Sequence, residues 1–140
     1  DLNNIQKNSV KLINCPRSNE FLKSSSAKTE EWKNKAIDFA MGTDSAASNY
    51  DLDLRKEILG NQFLSNKEKF NKLTIDAARI LGRDQDIGSL EAGKSADFVV
   101  LEVIDQASEI NKDNIFDFIM NPQKTRVKEV YINNSIVYSS

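Results

Sequence analysis

Histidine is absent from this 140-residue chain, and cysteine occurs once, as Cys15. A single cysteine excludes an internal disulfide and a cysteine-rich zinc site. It suits a reducing compartment, so a cytoplasmic location is expected. With no histidine to activate it, Cys15 reads as a small buried residue rather than a nucleophile. Long apolar runs are also lacking: none approaches the roughly 18 residues of a membrane span, so no membrane is expected as a partner. Neither sign of charge dominates, with 19 Lys and Arg against 21 Asp and Glu for a net charge of -2. Without a basic stripe interleaved with aromatics, nucleic acid is not an expected partner either. The opening Asp1-Leu2-Asn3-Asn4 has neither the basic nor the apolar region of a signal peptide and no initiator Met, which fits an internal or a processed start.

What the chain does contain is one carboxylate delivered from an apolar segment into a loop of small polar residues, Ala40-Met41-Gly42-Thr43-Asp44-Ser45-Ala46-Ala47-Ser48-Asn49. Ala36 to Met41 reads as a strand, which puts Asp44 just beyond a strand's carboxyl end, where open and closed α/β folds build their sites. Turn chemistry offers the plainer alternative of a loop or helix-capping aspartate among Gly, Thr and Ser.

Other segments frame that loop. Ser9 to Ile13 reads as a short strand that Pro16 stops before a polar loop, Asn14 to Asn19. Thr29 to Lys33 predicts a brief helix with Thr29 as N-cap and acids in its first turn. The spacing of Leu52, Leu54, Ile58, Leu59 and Phe63 predicts a helix over 51–63, with Asp51 and Asp53 at its start. Phe70 to Leu81 is also helical in period, with Thr74 placed to recap a second helix and Gly82 to end it. Beyond residue 83 the chain turns β-rich: turns over 87–94, a strand over 96–103, a short helix over 114–120 stopped by Pro122, and a hairpin about Asn133-Asn134. Two portions are expected, 1–83 and 84–140.

Four stretches together resemble the amidohydrolase superfamily, in its deaminase and chlorohydrolase branch. They are Asn14-Cys15-Pro16-Arg17-Ser18-Asn19, the Gly42 to Asn49 loop, Ala77 to Gly82 with Ile87 to Phe98, and Val127 to Asn134. Their order is that of the family's C-terminal third. The branch includes methylthioadenosine/S-adenosylhomocysteine deaminases and aminodeoxyfutalosine deaminases.

The resemblance implies an α/β chain: the C-terminal part of a metal-dependent (β/α)8 barrel over 1–83, and part of a small β-sandwich with a short helix over 84–140. At 140 residues the chain is far short of the roughly 250 of a whole barrel. The family surrounds one divalent metal, commonly zinc, with histidines and an aspartate matching Asp44. A catalytic zinc usually takes three protein ligands and a water, so the missing N-terminal portion would have to complete the site, and this chain alone is expected to be inactive.

The implied chemistry is hydrolytic deamination of an adenine-type nucleoside: a metal-activated water attacks the amine-bearing ring carbon, Asp44 shuttles its proton, and ammonia leaves. The loops carrying Arg17, Asn19, Ser48 and Asn49 lie at the mouth of such a site, so these four are candidates for contact with a purine nucleoside. Salt bridges and loop bracing are the alternatives for the same side chains. Asn14 stands where many relatives have histidine. A triazine-like chlorohydrolase, a guanine deaminase or a non-catalytic interaction module are the competing functions, and a homodimer is left open.

Overall fold

The computed structural model describes residues 2–104 and 109–140. Two small sheets organise them. In the first, β1 (Leu12–Asn14) and β2 (Phe39–Met41) run parallel, with Leu12 opposite Phe39 and Asn14 opposite Met41. Between them lie α2 (Pro16–Phe21) and α3 (Thr29–Asn34), preceded by α1 (Leu2–Lys7). After β2 come α4 (Leu54–Ile58), α5 (Asn66–Leu73) and α6 (Ile75–Ile80). The second sheet is antiparallel in the order β3 (Phe98–Val103), β4 (Thr125–Ile132), β5 (Ser135–Ser139), with α7 (Ile115–Ile119) between β3 and β4.

Every residue of β2 is buried, as a strand enclosed by helices must be. Phe39 and Met41 form the core with Ile58, Leu64 and Met120, and Leu12, Trp32, Phe70 and Leu73 pack around it. Met120, at the end of α7, thus belongs to the same core as β2. Arg55 Nη1 adds a polar tie, donating to Thr125 Oγ1 at 2.9 Å at the start of β4. Trp32, Phe70 and Tyr131 are packing residues, against Phe39, Phe116 and Phe98 respectively.

Several element boundaries differ from the expected ones, each for a local reason. Pro16 does not open a loop but occupies the first turn of α2, where its missing N–H costs nothing. β1 begins at Leu12 rather than Ser9, whose φ of +51° is not a strand conformation. Likewise Ala36, at φ +52°, closes α3 while the Ile37 amide donates back to the Trp32 carbonyl, so β2 starts only at Phe39. Thr29 is not the N-cap of α3, because its hydroxyl donates instead to Asn61 Oδ1 at 2.6 Å in the interior.

The helix expected over 51–63 is confined to Leu54–Ile58. Asp51 and Asp53 accept backbone N–H groups two residues ahead, from Asp53 and Arg55, which delays its start and makes Asp53 the N-cap. Thr74 separates α5 from α6, yet its hydroxyl donates back to the Phe70 carbonyl instead of capping forward. Gly82 ends α6 at φ +68°, and Asn133 and Asn134 turn the hairpin with φ of +48° and +62°, as their composition predicts.

Candidate active site

The carboxyl ends of β1 and β2 lie side by side and release the two segments that matter. From β1 the chain passes through Cys15 into α2; from β2 it passes through Gly42 and Thr43 to Asp44. The Gly42 amide donates to the Asn14 carbonyl at 2.9 Å and carries the parallel pairing one step past the strand. A side chain at Gly42 would meet Ile13 Cγ2 at 3.0 Å and Cys15 Sγ at 3.1 Å, so the glycine is what lets the two strand ends approach. Asp44 itself takes a left-handed φ of +58° and is exposed.

Two hydroxyls converge on one oxygen of that carboxylate. Ser48 Oγ donates to Asp44 Oδ2 at 2.7 Å and Ser18 Oγ at 2.8 Å, and the hydroxyls are 3.1 Å apart. Oδ1 takes neither. These bonds favour the charged form and hold the Asp44 carboxyl below its ordinary range, Ser48 contributing most and Ser18 next. Cys15 sits nearby, half-buried instead of fully buried as expected, with its thiol pushed up, chiefly by desolvation, which fits a packing residue and not a nucleophile.

Of the four candidate substrate contacts only Ser48 touches the Asp44 carboxylate, and Arg17, Ser48 and Asn49 are engaged with protein partners. Arg17 makes a two-pronged pair with Asp51, both N–O distances 2.9 Å, and its guanidinium lies 5.6 Å from the centre of the Tyr50 ring. Arg17, and after it Lys56, hold the Asp51 carboxyl well below the usual carboxylate range. Ser48 is buried beneath Asp44. Asn49 is buried with both ends of its amide used: Nδ2 donates to the Thr43 carbonyl at 2.7 Å and to Glu57 Oε1 at 2.8 Å, and Oδ1 accepts from the Tyr50 amide. Asn19 is half-buried, and its Nδ2 reaches Asn14 Oδ1 only at 3.5 Å.

Two contributors escape a reading of the sequence. Ser18 lies within the Asn14 to Asn19 stretch, yet nothing local says that its hydroxyl points to Asp44. Glu57 looks like an ordinary helix glutamate, although its side chain is wholly buried against Arg17 and Asn49.

Among the described residues no three His, Cys, Asp or Glu side chains gather where they could hold a metal ion. The donor set is one exposed carboxylate with Oδ1 outside the hydroxyl pair. A lone carboxylate of this kind fits a divalent cation as one ligand among the three or so that a catalytic zinc takes.

The amidohydrolase family profile matches residues 1–137. The chain belongs to the amidohydrolase family. It is 35% identical over 109 residues to a 5'-deoxyadenosine deaminase of Methanobrevibacter smithii, covering 70% of this chain and 25% of that one. It is 31% identical over 139 residues to a 5-methylthioadenosine/S-adenosylhomocysteine deaminase of Thermodesulfovibrio yellowstonii, covering 91% and 32%. Among solved structures, an adenosine deaminase from Xanthomonas campestris with bound zinc superposes with a TM-score of 0.72 at 26% identity, over 90% of this chain and 31% of that one. This amidohydrolase segment thus spans between a quarter and a third of the length of these relatives. Its parallel strands and their helices are a portion of a (β/α)8 barrel. Among the described residues no helix is long and apolar enough to cross a membrane.

Proposed function

We propose that this segment supplies the catalytic aspartate of a hydrolytic deaminase acting on an adenine-type nucleoside. The observation that carries the reading is the Asp44 carboxylate at the end of β2, oriented through Oδ2 by Ser18 and Ser48 with Oδ1 taking neither hydroxyl. The names of the relatives support the substrate class: 5'-deoxyadenosine, methylthioadenosine and S-adenosylhomocysteine are the first candidates, with aminodeoxyfutalosine beside them.

A divalent cation, proposed as zinc, would supply Lewis acidity that brings a water's pKa from about 16 towards 7. The histidine ligands are proposed to come from chain outside these 140 residues. Asp44 would take one proton of the attacking water and return it to the leaving nitrogen while the water's second proton ends on the adjacent ring nitrogen, so that the C–N bond breaks with release of ammonia as the ring carbonyl forms. Ser18 and Ser48 keep Oδ2 hydrogen-bonded, which leaves Oδ1 outside the hydroxyl pair for the cation and its water. Arg17, Ser48 and Asn49 act by holding the two strand-end segments, and Asn19 is the candidate with an amide free enough to meet a substrate. In this reading 1–83 contributes to the barrel and 84–140 to an adjoining β-sandwich with α7.

The test is ammonia release by the full-length polypeptide from a panel of adenine nucleosides in zinc-replete buffer, beside its Asp44→Asn form. Release that falls by about 10²-fold or more in Asp44→Asn supports the reading. Release from guanine or chloride from a triazine, with none from adenine nucleosides, would replace the substrate class. No turnover of any of them would leave a non-catalytic module.

A further inference from the structure

We infer that Glu57 is a positioning residue that fixes the Asp44 carboxylate from α4, through Arg17 on one side and Asn49 on the other. Its catalytic consequence rests on the deaminase reading above; the geometry does not.

The Glu57 side chain has no exposed surface, and a buried carboxyl is tolerated only where its oxygens find donors. They find them on both segments that leave the strand ends. Oε2 accepts the Arg17 backbone amide at 3.1 Å, and Oε1 accepts Asn49 Nδ2 at 2.8 Å, with Arg17 Nη1 also 3.7 Å from Oε1. Arg17 lies 40 residues away in the chain and Asn49 lies 8 away, so one side chain joins segments that local structure does not join.

Each of these contacts is one residue from a hydroxyl that orients Asp44. Ser18 follows Arg17, and its amide turn is held at the Arg17 N–H. Ser48 precedes Asn49, whose Nδ2 also donates to the carbonyl of Thr43, the residue before Asp44. Asp44 is exposed, so burial does little to orient its side chain. Ser18 and Ser48 do that, and both are buried and anchored within one residue of a Glu57 contact. Loss of Glu57 therefore loosens both hydroxyl donors together. A displacement of the order of 1 Å at a reacting group costs up to about 10²-fold in rate.

The experiment uses the full-length polypeptide as wild type, Glu57→Gln, Ser18→Ala and the double variant. Glutamine keeps the shape but turns a donor toward a donor. Two readouts are taken: kcat and KM for ammonia release from adenine nucleosides, and amide hydrogen exchange followed by mass spectrometry. Glu57→Gln is expected to lower kcat by about tenfold or more with KM within about threefold. In the Ser18→Ala background its further loss should shrink to less than about threefold, because both act on the same carboxylate. Exchange should rise in segments 14–19 and 43–50 and stay unchanged in the 125–139 hairpin.

A kcat within about twofold of wild type overturns the inference, as do losses that multiply in full in the double variant. Exchange that rises equally in the hairpin marks general loosening and also overturns it. If wild type releases no ammonia from any nucleoside, the deaminase reading falls, and exchange alone decides the role of Glu57: a local rise upholds it and no rise overturns it. If Glu57→Gln does not fold, Glu57→Asp, which keeps the charge one methylene short, is judged by the same readouts.

Discussion

Ser18 and Asp44 are 26 residues apart in the chain and 2.8 Å apart across the ends of two parallel strands. The contact exists because β1 and β2 are in register at their last residues, Asn14 opposite Met41, so the segments that follow emerge together. From that pairing the site inherits both its hydroxyl donors and its sensitivity to the strand ends.

The charge on Asp44 depends on its two hydroxyl donors. Its carboxyl lies below the ordinary value of 3.8 because Ser48 and Ser18 donate to it. A carboxyl depressed in the folded state contributes stability above the unfolded pKa, and the contribution disappears as pH falls through the folded value. Ser18→Ala and Ser48→Ala should each raise the Asp44 pKa, Ser48→Ala by more. Carbon-13 titration of the side-chain carboxyl in metal-free protein checks the order; an unchanged titration in both variants would contradict the hydroxyl geometry.

Glycines at strand and helix ends should respond in opposite directions. Gly42→Ala pushes a methyl against Ile13 and Cys15 and should cost about 1–3 kcal/mol. At Gly60 a methyl meets nothing within 4 Å, and Gly60→Ala should be neutral or stabilising by about 0.4–1 kcal/mol through the unfolded chain. Urea midpoints of the two variants beside wild type are the measurement.

At the start of α5, Ser65 and Glu68 form a reciprocal capping box. Replacing Ser65 with Ala should cost about 1 kcal/mol. The Lys33 ammonium first, and then the Ser65 amide and hydroxyl, hold the Glu68 carboxyl down at about 2. Its contribution to stability is therefore complete above the ordinary value of 4.5 and is lost as the pH falls towards about 2. Lys33→Ala should flatten that acid-side loss in a series of melting curves between those limits.

The 140-residue chain by itself should associate. Ile13 on β1 and Ile136 and Tyr138 on β5 are at least half exposed, and among the described residues β1 and β2 form a two-stranded sheet. Bare edges beside apolar surface pair with other chains. Sedimentation velocity should show mass rising with concentration; a single monomeric species across the range would count against this.

Much of the architecture was legible because it depends on neighbours in the chain. Gly82 closes α6 and Asn133-Asn134 turn the hairpin because a left-handed φ is a local requirement that few residue types meet cheaply. Asp53 stands near the expected helix start and caps α4 by a bond two residues long, although the helix itself begins only at Leu54. Thr29 was misleading for the opposite reason: the hydroxyl that composition offers to its own helix goes to Asn61, 32 residues away. Pairing does stop before Pro16, since β1 ends at Asn14, but proline suits the first turn of a helix as well as it suits a loop, and a helix follows.

By itself, then, the order of residues determined the family and the loop that presents Asp44, because short motifs and turn chemistry are written in contiguous residues. It also determined that no histidine in this chain accompanies that aspartate. Only the tertiary structure decided how the carboxylate is held. Ser18 reaches Asp44, and Glu57 is buried between Arg17 and Asn49, because the parallel register of β1 and β2 brings together side chains that no local pattern connects.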